Sequence, residues 1–230
     1  MEKAFEKHET LFTILLIIIY VVLNSFLIQN FGYTSYQSVI ANTILSIIIM
    51  TLIIIIKRVN YYGLKKTNNS KKFLYFIPLF IISLFNIRNG IHINNSPSEI
   101  LFHILTMINI GFLEEIIFRG FLFKMIEKDN IKKAIIISSI TFGIGHIVNL
   151  LNGTDFLPTL LQVCYAVSIG YMLVIVFYKS KSIIPCVIFH GIFNSLSIFN
   201  NDNSQIWAIV ILIALCLGYA IYINKKVKIN

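Results

Sequence analysis

Between Met107 and Lys124 the chain places Glu114, Glu115 and Arg119 inside an otherwise apolar run. A single charged side chain in hydrocarbon costs at least about 2.5 kcal/mol. Three of them within six residues need partners, and the rest of the chain must supply those partners.

The surroundings of that run are themselves apolar. Of 230 residues, 57% are hydrophobic and 13% charged, where a soluble domain carries about 25% charged residues. The apolar residues come in runs of about 20, the length that crosses a hydrocarbon core. The reading is an all-α, polytopic transmembrane helix bundle in a single domain, residues 1–230. About eight spans are expected, near 11–28, 39–56, 73–87, 98–123, 134–151, 157–178, 183–199 and 206–223. They group as two N-terminal spans (about 11–56), a catalytic bundle (about 73–200) and a last span (about 206–223). The third is short and holds Pro78.

Charge placement gives a second, independent pattern. Of 19 Lys and Arg residues, 17 fall in the N-terminal lead, the C-terminal tail and the loops after spans two, four and six. Arg88 stands alone on the other side, and Arg119 is within a span. The positive-inside rule then puts both termini in the cytoplasm. Without a crossing third span this alternation would collapse. The same distribution argues against nucleic acid as the partner of the net charge of +9, because the basic residues serve topology. The polar lead and long first run do not read as a cleaved signal peptide. Abundant Ile, Asn and Lys suggest an AT-rich genome, hence a bacterial plasma membrane. Cys164, Cys186 and Cys216 show no metal or redox spacing and read as small buried hydrophobes.

Local signals mark helix ends. Ser96-Pro97-Ser98-Glu99 has the form of a capping box with proline in the first turn. Asp155 or Thr154 can cap the sixth span, and Ser182 the seventh.

The intramembrane polar groups sort by spacing. Glu115 and Arg119 are four apart on one helix and can pair. Glu114 lies about 100° round the helix and is left without that partner. Gly111 and Gly120 permit close backbone approach. Gly143 and Gly145 make a thin surface just before His146. His190 and Asn194 share a face on the seventh span. Counted from the cytoplasmic ends, Glu114, His146 and His190 all reach the middle band of the bilayer, so one site from three helices is geometrically possible. A carboxylate sheltered from bulk water is a suitable general base for activating a water molecule. His and Asn are suitable donors to an oxyanion. Together they read as hydrolysis.

These residues also resemble a known family. Glu-Glu-x-x-x-Arg at 114–119, Phe-x-x-x-His at 142–146 and His-x-x-x-Asn at 190–194, in that order on separate spans, resemble the CPBP family of CAAX prenyl proteases and bacteriocin-processing or immunity-associated Abi proteins. The resemblance covers about 73–200 and implies an intramembrane endopeptidase acting on a membrane-associated peptide or protein. It implies that Glu114 activates water with help from His146, that His190 and Asn194 stabilise the oxyanion, and that Glu115 and Arg119 support the site. The family is commonly labelled metalloprotease. Glu114, His146 and His190 would form a His₂Glu set suited to zinc, although Glu114 cannot easily be both ligand and sole base. Two other functions stay open. One is a non-catalytic peptide-binding or immunity protein. The other is a proton-coupled transporter using Glu114 and the histidines, for which two-half symmetry would be expected.

Overall fold

The computed structural model describes residues 2–65, 76–200 and 206–227, and all regular structure among them is helical. A short α1 (Glu2–Lys7) precedes α2 (Glu9–Phe31) and α3 (Tyr36–Ile55), which form an antiparallel hairpin. α4 (Ile77–Ser83) continues as a 3₁₀ turn, Leu84–Ile87. α5 (Pro97–Glu115) runs without a break through a π-helical stretch, Ile116–Phe123, into α6 (Lys124–Glu127). α7 (Ile131–Ile144) ends in the 3₁₀ turn Gly145–Leu150. Then come α8 (Phe156–Ser180), α9 (Ile184–Ser195) with its 3₁₀ extension Leu196–Phe199, and α10 (Ile206–Lys226).

Six helical stretches are long and apolar enough to cross a membrane: Glu9–Phe31, Tyr36–Ile55, Pro97–Glu127, Ile131–Leu150, Phe156–Ser180 and Ile206–Lys226. They coincide with the expected first, second, fourth, fifth, sixth and eighth spans. The third and seventh are shorter apolar helices, Ile77–Ile87 and Ile184–Phe199. Positions 73–75 of the expected third span lie outside the described residues, as do Lys66, Lys71, Lys72 and Lys228.

Hydrogen bonds and ion pairs sort the connections onto two ends of the bundle. At one end Arg58 pairs with Glu6, Lys128 with Glu9, and Lys181 with Glu127. There too Ile183 N donates to Gly63 O (2.9 Å) and Ser182 Oγ to Lys65 O (2.6 Å). At the other end Ser25 Oγ donates to Asn152 Oδ1 (2.8 Å) and His92 N to Phe199 O (3.1 Å). The chain therefore passes from the basic end at Lys65 to the opposite end at His92. α4 and its 3₁₀ turn pack alongside α9.

α8 and the α5 stretch lie at the centre. From Met172 to Phe177 every residue of α8 is buried, as is every residue of the π-helical stretch. α2 and α3 are peripheral and turn a mostly apolar outer surface to the surroundings, with Ile18, Ile19, Val22, Ile47 and Ile48 exposed. That is the expected outer surface of a bundle solvated by lipid.

The helix ends follow the local chemistry in part. Ser96 forms both halves of the capping box with Glu99. Asp155 is the N-cap of α8, but its side chain makes no capping bond. Ile183, not Ser182, is the N-cap of α9. Ser182 Oγ accepts from Ile184 N at 3.4 Å while donating to Lys65 O.

Glycines set the closest crossings. A Cβ on Gly111 would lie 2.9 Å from Gly191 N and 3.2 Å from Gly191 Cα, so α5 and α9 touch backbone to backbone. Gly143 meets Val167 N and Val163 O on α8 in the same way, at 2.8 and 3.0 Å. These two crossings bring the segments carrying the polar motifs together. Gly111→Ala must push α9 away through main-chain atoms that cannot rotate aside. It should cost about 1–3 kcal/mol and lower the melting temperature of the detergent-solubilised protein by several degrees. Gly218→Ala, where nothing lies within 4 Å of the added carbon, should melt like the wild type.

Candidate active site

The Gly111–Gly191 crossing fixes what happens one turn further along α5. Glu115 is completely buried, and its Oε1 lies 3.1 Å from Arg119 Nη1, which is also completely buried. The expected i, i+4 pair forms at the boundary where the helix widens from α to π. Arg119 Nη2 donates to Gly170 O on α8 at 3.3 Å. Its guanidinium lies 4.3 Å from the centre of the Phe142 ring on α7. Glu115 Oε2 and Arg119 Nε have no hydrogen-bond partner, so charge attraction and the aromatic face carry the pair.

His190, next to Gly191 on α9, joins the two carboxylates. Its Nδ1 lies 2.8 Å from Glu115 Oε1 and its Nε2 lies 3.3 Å from Glu114 Oε2. The two glutamates, expected to face different ways on the helix, are thus spanned by one imidazole using both ring nitrogens. Glu115 is not only Arg119's partner. A carboxylate at Nδ1 holds the ring orientation and favours a proton there, which directs Nε2 at Glu114.

Glu114 keeps a 12% exposed side chain. Its Oε1 accepts a hydrogen bond from the hydroxyl of Tyr20 on α2 at 3.0 Å. It stands on the wall of a cavity of about 640 Å³ that also meets Tyr20, His103, His146, His190 and Asn194. Asn152, Thr154 and Asn200 border the same space, so it extends from Glu114 to the end of the bundle opposite the basic loops.

The structure gathers the remaining expected residues around this cavity with different degrees of contact. His146 is half-buried in the 3₁₀ turn after α7, and its Nδ1 lies 3.2 Å from Phe142 O. The Phe142 ring stands edge-on to both imidazoles, 5.4 Å from that of His146 and 5.6 Å from that of His190. Asn194 lines the cavity one turn beyond His190. Its carbonyl lies 3.3 Å from His103 Nε2 and accepts from Ser197 Oγ at 2.7 Å.

Two participants were not anticipated. His103 reads from sequence as an ordinary interfacial histidine, yet it is buried, lines the cavity and braces the end of α9. Tyr20 carried no motif. Its signal was position: a tyrosine in the middle of an apolar run, away from the ends where interfacial tyrosines gather. Tyr33, in the turn between α2 and α3, also borders the cavity.

Glu114, His146 and His190, the possible zinc set, all border this cavity. Among the described residues no group of three His, Cys, Asp or Glu side chains could hold a metal ion. Both nitrogens of His190 face carboxylates, and the Nδ1 of His146 faces a main-chain carbonyl.

Residues 96–196 match the Rce1-like family, described as type II CAAX prenyl endopeptidase. No curated protein and no solved structure gives a significant match. Within that segment the chain is similar to a family of CAAX-type endopeptidases, which are hydrolases. Glu114, Glu115, Arg119, His103, His146, His190 and Asn194 all fall inside the matched segment, and Tyr20 falls outside it.

Removing the guanidinium tests the buried network. Arg119→Ala leaves Glu115 as an uncompensated buried carboxylate and should cost about 3–5 kcal/mol. The variant should melt far below the wild type, or fail to purify as a folded monodisperse species in detergent. Lys225→Ala, at an exposed lysine in the last turn of α10, should change melting by no more than a degree or two.

Proposed function

We propose that this CAAX-type membrane endopeptidase hydrolyses a peptide bond of a membrane-associated peptide or protein through a water molecule activated by Glu114. The observation that supports this most directly is the division between the two glutamates. Glu115 is fully buried and shared by Arg119 and His190, while Glu114 borders the cavity with one oxygen toward His190.

In this reading Glu114 takes a proton from a water in the cavity as the oxygen attacks the scissile carbonyl. The carbonyl oxygen gains the negative charge. His190, fixed by Glu115 through Nδ1, can present an Nε2 proton to that charge, and the amide of Asn194 can present another. The proton held by Glu114 then passes to the leaving amine as the C–N bond breaks, giving one new carboxyl and one new amino terminus. His146, across the Phe142 ring from His190, helps to hold the water or the peptide.

The substrate reaches the carboxylate along the cavity, from the end of the bundle opposite the basic loops. The positive-inside pattern makes that the outer face of a bacterial plasma membrane. A peptide pheromone, a bacteriocin precursor or a membrane protein would each present a suitable segment, and processing or self-immunity would be the physiological setting.

Glu114→Gln keeps the shape of the side chain and removes the base. Peptides released from membranes carrying the wild type should be absent from membranes carrying this variant, a fall of at least about 10²–10⁴-fold by quantitative peptide mass spectrometry. Equal peptide release by Glu114→Gln would sink the hydrolase reading. A retained cellular phenotype without any cleavage would favour a peptide-binding role.

A further inference from the structure

α2 lies outside the segment that matches the protease family, yet it presents one face to the cavity. Tyr20, Val21, Asn24, Ser25 and Ile28 line it, a spacing of i, i+1, i+4, i+5 and i+8 that marks one side of a helix. The other side of the same turns is exposed, with Leu15, Ile18, Ile19 and Val22 between 46% and 62% accessible. Ser25 Oγ pins the helix to Asn152 beyond α7 by a 2.8 Å hydrogen bond. The inward stripe of α2 is therefore held against the site by polar contacts and not by apolar packing alone.

Tyr20 is the deepest polar group on that stripe, 3% exposed. A phenol hydroxyl at that depth needs a partner. Its partner is Glu114 Oε1 at 3.0 Å. His190 Nε2 faces the other oxygen, Oε2, at 3.3 Å. A donor on one oxygen and the imidazole at the other fix the carboxyl plane. They also make the two oxygens inequivalent: Oε1 is occupied by a permanent protein donor, and Oε2 is left on the His190 side.

We propose that Tyr20 is a positioning residue for Glu114, and that α2 completes the active site by holding the carboxylate with Oε2 as its working oxygen. This rests on Glu114 being the water-activating group. Tyr20 does not touch the peptide in this arrangement. It acts through the orientation of Glu114, so its loss should affect turnover and not substrate binding.

Tyr20→Phe keeps the ring and removes only the donor, and Tyr36→Phe, a tyrosine with an exposed side chain, serves as the control. The first measurement needs no substrate. Purified protein in liposomes is treated with dicyclohexylcarbodiimide at fixed pH, and modification of Glu114 is followed by peptide mass spectrometry. Freed of its hydrogen bond, Oε1 should be open to the reagent, and Glu114 should be labelled several-fold faster in Tyr20→Phe than in the wild type or the control. Equal labelling rates would overturn the proposal. The second measurement uses a peptide whose release depends on Glu114. In Tyr20→Phe, kcat should fall roughly 10–100-fold, the worth of one hydrogen bond to a charged group, while KM stays within about twofold. Unchanged kcat, or a loss confined to KM, would also overturn it. If the wild type releases no Glu114-dependent peptide, the hydrolase reading fails, and the labelling rates still decide whether Tyr20 holds Glu114.

Discussion

A guanidinium with no solvent exposure is the costliest single feature of this bundle, and the elements around it are arranged to compensate it. Arg119 takes the carboxylate of Glu115 along its own helix, the carbonyl of Gly170 from α8 and the ring face of Phe142 from α7. Glu115 in turn takes His190 from α9. One charged pair thereby ties together four helices, three of which, α5, α7 and α9, carry the polar motifs. Lipid offers little drive for apolar faces to associate. A buried charge that must be matched from several directions provides a specific arrangement where hydrophobicity does not.

The same logic accounts for the roles of the glycines and of the widened helix. Arg119 cannot meet Gly170 O and Phe142 unless α7 and α8 are close, and Gly143 against the α8 backbone gives that approach. His190 cannot reach both glutamates unless α9 lies on α5, and Gly111 against Gly191 gives that one. The π-helical turns begin just after Glu115 and include Arg119. Such turns are frequent at functional sites. Here the helix continues through them into α6 without ending.

What was legible in the sequence was local. The capping box at Ser96, the Glu115–Arg119 spacing and the close approach at Gly111 depend on residues within a turn or so of each other, and each is present. Apolar length identified the six long helices and placed the two shorter ones. The π-helical stretch could not be read, because its hydrophobic run fits an α-helix equally well and the widening answers contacts made on other helices. The link from His190 to Glu115 could not be read either. It spans 75 residues, and helix geometry alone placed the two glutamates on different faces. Tyr20 reaches Glu114 across 94 residues, and only its mid-span position hinted at a partner. That His103 lines the cavity could not be read for a related reason: depth along a helix says nothing about which side faces a cavity.

The proposed hydrolysis would need water at a carboxylate that hydrocarbon would otherwise keep dry, with the rest of the charge protected. Adjacent residues on one helix differ in the way these opposite demands would call for. Glu115 is sealed, with its charge spent on Arg119 and on orienting His190. Glu114, one position earlier, borders a space that reaches the end of the bundle and carries polar groups among its apolar walls. Were both sealed, no water could be activated. Were both wet, the ion pair would weaken in a higher dielectric and the ring of His190 would lose its fixed reference. The about 100° between consecutive helical positions is what separates the sealed carboxylate from the one that borders the cavity, and the imidazole of His190 spans that angle to meet both. Consecutive glutamates on a helix passing between a packed core and a cavity can therefore divide support and chemistry between them in a way that glutamates on the same face could not.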